Sequence, residues 1–188
     1  MSVCRVWSLK TAEAIKNKWT MEEVPYMQNV ICFHSPNEDN GFLSNWYLSN
    51  FSVGDNQYSS MEQYMMRQKA LVFNDTDAAN AILQTSDAGK IKALGRSVRN
   101  FNDVIWNGLR QIIVYQGLLE KFQQDLSLRK KLLATGNDIL AECAVYDKIW
   151  GIGLSMHDKR RFDMNEWRGQ NLLGFSLMCV RTALQKTT

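Results

Sequence analysis

Residues 59–75 read SSMEQYMMRQKALVFND, and this stretch carries the clearest secondary-structure signal in the chain. Its apolar side chains recur at the spacing of one α-helical face: Met61, Tyr64, Met65, Leu71 and Val72. The pattern predicts an amphipathic helix that runs to about Phe73, where Asn74 and Asp75 end it.

Glu62, near the start of this helix, has two interpretations. Ser59-x-x-Glu62 matches a capping box, in which the serine hydroxyl accepts from the Glu62 amide and the carboxylate accepts from the serine N–H. The helical step also puts Glu62 and Lys69 at the border of the apolar face, where a carboxyl group is partly dehydrated. Dehydration raises a carboxyl pKa toward the range useful in acid–base catalysis. The pattern leaves open whether Glu62 caps or catalyses, and Lys69 fits an ordinary surface lysine equally well.

The rest of the chain predicts a mainly α fold of the α+β class, in a single domain with a few short strands. Further helices are predicted at 77–83, at 88–95, from Asn102 or Asp103 to Phe122, at 127–135 and from about Asn171 onward, with a short one at 12–19. Residues 30–33 predict a buried strand, and residues 51–58 predict a hairpin. We interpret residues 1–28 as an N-terminal extension and residues 29–188 as the domain.

Composition excludes several classes of protein. A chain of 188 residues is long enough to bury its own core. The net charge is +3 with basic residues scattered, so no strong nucleic-acid surface is expected. The four cysteines lie far apart with only two histidines, a pattern that favours reduced thiols over a zinc site. No apolar run approaches a membrane span, and we expect a cytoplasmic protein without a metal or cofactor.

Two further segments are not explained by helix and strand patterns. Trp106, on the long predicted helix, fits either a core tryptophan or an indole that stacks on a heterocycle. Residues 146–153, YDKIWGIG, predict a tight loop whose backbone closely approaches a ligand or another segment. A turn aspartate at Asp147 with a packed Trp150 is the structural alternative. Motifs of P-loop, dinucleotide-binding, serine hydrolase and metalloprotease sites are absent from the sequence.

In order along residues 30–184, these segments resemble the NADAR family, also called YbiA-like. The matching stretches are Phe42-Leu43-Ser44-Asn45-Trp46, Ser60-Met61-Glu62-Gln63-Tyr64 through Gln68-Lys69-Ala70, Leu94-Gly95-Arg96, Trp106, Leu119–Phe122, Leu132–Gly136, Asp147 with Trp150–Gly153, Gly169–Gly174, Leu177-Met178 and Arg181. One departure is visible, because the histidine that usually follows the family's glutamate is Gln63 here. That difference puts in doubt any role that needs an imidazole at this position.

The resemblance implies an enzyme that cleaves N-glycosidic bonds. Members of the family act on phosphorylated early intermediates of riboflavin synthesis, or on ADP-ribose attached to guanine bases. The expected partner is therefore a small ribosylated, phosphorylated molecule or an ADP-ribosylated nucleic-acid base. The resemblance places Glu62, Trp106 and Asp147 at positions regarded as functionally important, and Lys69 at a lysine of the family motif.

From this resemblance we expect Glu62, Asp147 and Lys69 to be catalytic. Cleavage of a ribose C1–N bond needs a proton for the leaving nitrogen and a group that orients water or stabilises the sugar cation. Glu62 is the expected acid and Asp147 the expected base, although the roles could be reversed. Lys69, with Arg96 and Arg181, is a candidate for the substrate phosphate, or Lys69 forms a Schiff base with the ring-opened sugar.

The expected substrate-binding residues are Trp106, Ser44, Asn45, Trp150, Gly151, Arg96, Asn171 and Arg181. Trp106 would stack on the leaving heterocycle. Two other functions fit the same residues less well. One is a module that binds ADP-ribose or a related nucleotide without cleaving it, and the other is a protein that only binds a partner.

Overall fold

The computed structural model describes residues 29–186, so the expected extension 1–28 and its short helix lie outside the described residues. The six helices of this region are α1 Met61–Val72, α2 Thr76–Leu83, α3 Ala88–Arg96, α4 Asp103–Gln124, α5 Leu126–Ala134 and α6 Leu172–Gln185. The four strands are β1 Val30–Phe33, β2 Phe51–Val53, β3 Asn56–Tyr58 and β4 Ile139–Glu142. The predicted α+β fold, mainly helical with short strands, is confirmed. No helix in the described part of the chain has the length and apolar character needed to cross a membrane.

Helix α1 lies at the centre of the helical layer and packs against α2, α3 and α4. The predicted apolar face is only partly buried: Met61, Tyr64 and Met65 enter the core, whereas Leu71 stays partly exposed. Helix α4 approaches α1 closely because Gly117 has no side chain. A Cβ atom at this glycine would lie 2.4 Å from the Tyr64 ring. The close crossing fixes the orientation of α1, and with it the direction of the side chains in its first turn.

The start of α1 differs by one residue from the predicted capping box. Ser60, not Ser59, is the N-cap, and its Oγ accepts a hydrogen bond of 3.2 Å from the Gln63 amide. The Gln63 side chain, not that of Glu62, reaches back and accepts from the Ser59 N–H at 2.7 Å. The predicted box at Ser59 and Glu62 is therefore wrong, and the Glu62 carboxyl group is not used to cap the helix.

Strand β4 was not predicted from the sequence. It pairs in parallel with β1, and Val30 lies opposite Ile139 while Phe33 lies opposite Glu142. Both strands therefore end at the same edge of this small sheet, where the segments after Phe33 and after Glu142 leave side by side. Loops at the carboxyl ends of parallel strands commonly form binding sites.

Lys121 of α4 is a charged residue inside the core. Its Nζ donates a hydrogen bond of 2.8 Å to the carbonyl oxygen of Phe42. The Tyr47 and Phe122 rings lie 5.3 and 5.1 Å from the same atom. Burial lowers the pKa of Lys121 to about 7, against the opposing effect of the Asp125 charge. The amine thus holds the loop before β2 against α4 at the cost of burying an ionisable group.

We predict that Lys121 makes stability depend on pH between neutral and alkaline conditions. The unfolded chain binds this proton more tightly than the folded protein, so stability increases as pH rises from about 7 toward about 10. The Lys121→Met variant lacks this increase. Between about pH 6 and about pH 9.5, the melting temperature of wild type should rise relative to that of the Lys121→Met variant. Lys130→Met, at an exposed position, is the control, and parallel pH curves for wild type and Lys121→Met would contradict the prediction.

Candidate functional site

A cavity of about 710 Å³ opens at the shared carboxyl edge of β1 and β4. Its walls come from five parts of the chain: residues 34–38 after β1, Ser44 with Trp46, Lys92 with Arg96 of α3, residues 142–147 at the end of β4, and residues 155–157. This volume lies within the range of about 300–1,000 Å³ that is typical of small-molecule sites. The cavity is therefore the candidate functional site.

Glu62 does not itself line the cavity: it is 5% exposed and lies behind the wall segment that carries Ser44 and Trp46. Its amide donates a hydrogen bond of 2.8 Å to the Asn45 carbonyl oxygen, which ties the start of α1 to the preceding loop. Burial raises the pKa of Glu62 to about 7, with Lys92 and Arg96 opposing the shift and Asp147 adding to it. These three charged neighbours all line the cavity. A carboxyl group with this pKa can donate a proton at neutral pH.

Glu142, the last residue of β4, is a partly buried glutamate that lines the cavity directly. Burial raises its pKa to about 8, and the charges of Asp147 and Glu62 add to the shift while Lys92 opposes it. Its Oε2 is buried and has no hydrogen-bond partner within residues 29–186. Glu142 was not predicted as a site residue, because the strand that carries it was not predicted.

Asp147 lies in the loop after β4 and lines the same cavity. Its Oδ1 accepts hydrogen bonds of 2.9 and 2.8 Å from the amides of Ile149 and Trp150, which closes a tight turn. Because its charge raises the pKa of both glutamates, the three carboxyl groups form one electrostatic cluster. The two glutamates therefore stay protonated to a higher pH than isolated carboxyl groups would.

Asn171 and Gly151 lie behind this cluster and do not line the cavity. The Asn171 side chain donates to the Leu140 carbonyl oxygen at 2.8 Å and accepts from the Glu142 amide at 3.1 Å. It thereby occupies the place of a neighbouring strand and fixes the backbone of Glu142. Gly151 passes so close to β4 that a Cβ atom there would lie 2.8 Å from the Glu142 carbonyl oxygen.

Two large aromatic side chains, Trp46 and Tyr146, line the cavity, and Trp46 is the one with an indole ring. Forty percent of its surface is exposed, and the Lys92 Nζ lies 4.8 Å from its ring centroid. In the sequence, Trp46 is noticeable only as part of a motif, and Lys92 has no distinguishing pattern. A flat indole next to a cation is suited to a heterocycle that carries a negative charge elsewhere in the molecule.

The other two tryptophans of the predicted site are placed in or against the core. Trp106 is 7% exposed and belongs to the main hydrophobic cluster, and it does not line the cavity. Trp150 is partly buried against the same cluster, with the Arg110 guanidinium 6.0 Å from its ring centroid. The structure thus places Trp106 in the hydrophobic core, which is one of the two positions that the sequence allowed.

Of the three basic residues expected at the site, Arg96 lines the cavity, whereas Lys69 and Arg181 do not. The Lys69 Nζ lies outside its walls, where it donates to the Gly95 carbonyl oxygen at 2.7 Å and lies 4.0 Å from the Phe101 ring centroid. Arg181 is buried and donates to the Thr135 hydroxyl at 2.6 Å, which fastens α6 to the segment before β4.

Ser44 and Asn45 shape the loop that carries Trp46. Ser44 lines the cavity, and its Oγ accepts a hydrogen bond of 3.3 Å from the Trp46 amide. Asn45 is buried, its carbonyl oxygen holds the Glu62 amide, and its Oδ1 has no partner among the described residues. Within residues 29–186, His, Cys, Asp and Glu side chains form no group of three that could hold a metal ion.

The chain also matches a known protein family. The model of the NADAR domain family matches residues 32–185. The chain belongs to the NADAR family. An N-glycosidase of Acanthamoeba polyphaga mimivirus is 42% identical over 164 residues, which cover 83% of this chain and 96% of that protein. A riboflavin biosynthesis protein of Vibrio vulnificus is 32% identical over 160 residues, 85% of this chain and 40% of that protein.

The NMR structure of the E. coli protein YbiA has the same fold. It matches with a TM-score of 0.71 and 27% sequence identity over 85% of this chain and 87% of that chain. The family resemblance predicted from the sequence motifs is therefore confirmed, together with the fold.

Gln63 is the position at which this NADAR domain departs from the family's usual histidine. Its side-chain amide donates to the carbonyl oxygens of Ile82 and Thr85 at 3.1 and 2.8 Å. The side chain lines a separate, smaller pocket of about 200 Å³ and not the cavity with the carboxyl cluster. Gln63 therefore joins the start of α1 to the end of α2.

We predict that the Glu62→Gln variant of this NADAR domain is more stable than wild type at about pH 8, and that the difference shrinks toward about pH 4.5. The folded protein holds the Glu62 proton more tightly than the unfolded chain, so the associated stability is lost as pH rises through about 7. Urea unfolding at several pH values measures the difference. Glu38→Gln, at an exposed position of the cavity wall, is the control. A pH-independent difference for Glu62→Gln would refute the prediction.

Proposed function

We propose that this cavity hydrolyses the bond between C1 of a ribose and a ring nitrogen, in a heterocycle whose sugar carries a phosphate. The observation that carries the proposal is two glutamates at one cavity: Glu62 is 5% exposed, and the Oε2 of Glu142 is buried without a hydrogen-bond partner among the described residues. Burial raises their pKa values to about 7 and about 8. Perturbed acids gathered at a cavity are typical of active sites. The names of the relatives, N-glycosidase and riboflavin biosynthesis protein, support the same class of reaction.

Hydrolysis needs one protonated and one ionised carboxyl group. Glu62 gives its proton to the departing nitrogen as the C1–N bond breaks, because burial keeps this acid protonated up to neutral pH. Asp147 accepts a proton from the water that attacks C1, and its negative charge stabilises the oxocarbenium-like sugar. Glu142 lines the cavity from the end of β4, and its raised pKa of about 8 keeps a second carboxyl group protonated near the reacting bond.

The substrate is held at its two ends. Trp46 stacks on the heterocycle, and Lys92 and Arg96 bind the phosphate through charge-assisted hydrogen bonds. Asn171 and Gly151 act as positioning residues for Glu142, and Lys69 takes no step in this mechanism because its amine is engaged outside the cavity. The substrate is either a free riboflavin-pathway intermediate or ADP-ribose on a guanine base, and the cytoplasmic location expected from the sequence suits both.

Incubation of the purified protein with both substrate types, followed by mass spectrometry for the released base, tests the proposal. Release of free base from one of them, and loss of that release in the Asp147→Asn variant, is the expected result. Binding without base release, seen as a higher melting temperature with intact substrate, would replace the hydrolase with a nucleotide-binding module. No binding and no release would reject both.

We predict that Glu62→Gln and Asp147→Asn each lower kcat by about 10²–10⁴-fold, because each removes one proton transfer. The wild-type rate should also fall on the alkaline side, with an apparent pKa between the values of the two glutamates, about 7 and about 8. Steady-state rates from pH 5 to about 9 check both points. Glu38→Gln should retain near wild-type kcat. An active Glu62→Gln enzyme would show that Glu62 is not the acid.

We predict that Trp46 contributes to substrate binding by stacking. Trp46→Ala should raise KM by about two- to twelvefold, equivalent to about 0.5–1.5 kcal/mol, and Trp46→Phe should recover part of the loss. Trp106→Phe, which retains an aromatic ring in the core, serves as the comparison and should leave KM unchanged. If Trp106→Phe raises KM and Trp46→Ala does not, the stacking residue is the one expected from the family resemblance.

A further inference from the structure

Cys32 and Cys143 meet beside the cavity, and neither thiol takes part in the proposed hydrolysis. Cys32 lies opposite Ala141 in the parallel pair, so it shares a sheet face with Ala141 and with Cys143 two residues further on. Both cysteines pack in a small apolar cluster with Ile152 and Leu154. The Cys143 thiol lies 4.0 Å from the Ala141 carbonyl oxygen, to which it donates, and hydrogen bonding between the two thiols shifts the pKa of each. Cys32 is partly exposed, and Cys143 lines the cavity.

The surroundings shift the pKa values of the two thiols in opposite directions. The hydrogen bond from Cys143 lowers the pKa of Cys32, and the charge and hydrogen bonding of the Arg161 guanidinium lower it further against the effect of burial. The same hydrogen bond raises the pKa of Cys143, and burial adds to the rise. The Arg161 Nε is buried without a hydrogen-bond partner in the described region, so the guanidinium has an unused donor beside the pair. The proton therefore stays on Cys143, and the thiolate forms on Cys32.

We propose that Cys32 and Cys143 form a reversible oxidation site that reacts with hydrogen peroxide and closes to a disulfide. The Cys32 thiolate attacks one peroxide oxygen, the O–O bond breaks, and the leaving hydroxide takes up a proton to become water. The Cys32 sulfenic acid is then attacked by the sulfur of Cys143. The S–S bond forms as the S–O bond breaks, and the Cys143 proton leaves with the hydroxide as a second water molecule. A thiol reductant reverses the reaction.

Closure of this disulfide changes the cavity, and this consequence rests on the proposed function. Cys143 directly follows Glu142, and its amide donates to the Phe33 carbonyl oxygen at 2.8 Å. Drawing the two sulfurs together to a bond of about 2.05 Å moves Cys143 toward β1. The Glu142 carboxyl group moves with its neighbour, which changes its position relative to Glu62 and Asp147. The oxidised protein is expected to turn over more slowly than the reduced one.

The experiment uses the full chain with Cys4→Ser and Cys179→Ser, so that only the pair can react. After treatment with hydrogen peroxide, intact mass should show the loss of two hydrogen atoms, and peptide mass spectrometry should show Cys32 linked to Cys143. Dithiothreitol should reverse both. A second protein, with Cys32→Ser and Cys143→Ser but Cys179 retained, gives the rate of an ordinary exposed thiol, and the pair should react about tenfold faster.

The role of Arg161 is tested separately. Arg161→Gln should slow oxidation of the pair by about three- to tenfold, and Arg161→Lys should restore part of the rate, because it retains the positive charge. Absence of the linked peptide, or a pair no faster than Cys179, would overturn the proposal. The mass measurement decides this even if no N-glycosidase activity is found. A disulfide that forms without changing base release would overturn only the link to Glu142.

Discussion

The burial of carboxyl groups beside an aspartate is the constraint on which the site depends. Glu62 is 5% exposed and the Oε2 of Glu142 is buried, and the negative charge of Asp147 acts on both glutamates. Three carboxylates cannot all stay ionised in such a place, so the cluster retains protons at neutral pH. Lys92 balances part of the charge from the cavity wall. The proposed hydrolysis of a glycosidic bond requires an acid and a base together, and this cluster can supply both.

The fold supplies each carboxyl group from a different element and fixes it there. The crossing of α1 and α4 at Gly117 sets the direction of Glu62, and the Asn45 carbonyl oxygen holds its amide. The Asn171 side chain holds Glu142 at the end of β4. Asp147 is placed by the turn that it closes itself. Much of the polar network around the cavity therefore has a positioning role, which explains why motif residues lie behind the site as well as within it.

The sequence predicted the helices well because their apolar spacing and caps are local. It missed β4, since this four-residue strand is defined by pairing with β1, more than 100 positions away along the chain. Glu142 was missed with it. The capping register was misread because Ser59-x-x-Glu62 and Ser60-x-x-Gln63 have the same spacing, and the choice depends on contacts of Gln63 with residues 82–85. Lys92 and Trp46 likewise become recognisable only when α3 and the loop before β2 meet at one cavity.

The site depends most directly on Glu62 and Glu142 both titrating in the neutral pH range. Carbon-13 NMR of side-chain carboxyl groups, with the two glutamates assigned from their glutamine variants, measures their titration directly. The account predicts midpoints near pH 7 for Glu62 and near pH 8 for Glu142, and a change in one midpoint when the other residue is substituted. Two independent midpoints near the ordinary glutamate value of about 4.3 would contradict it.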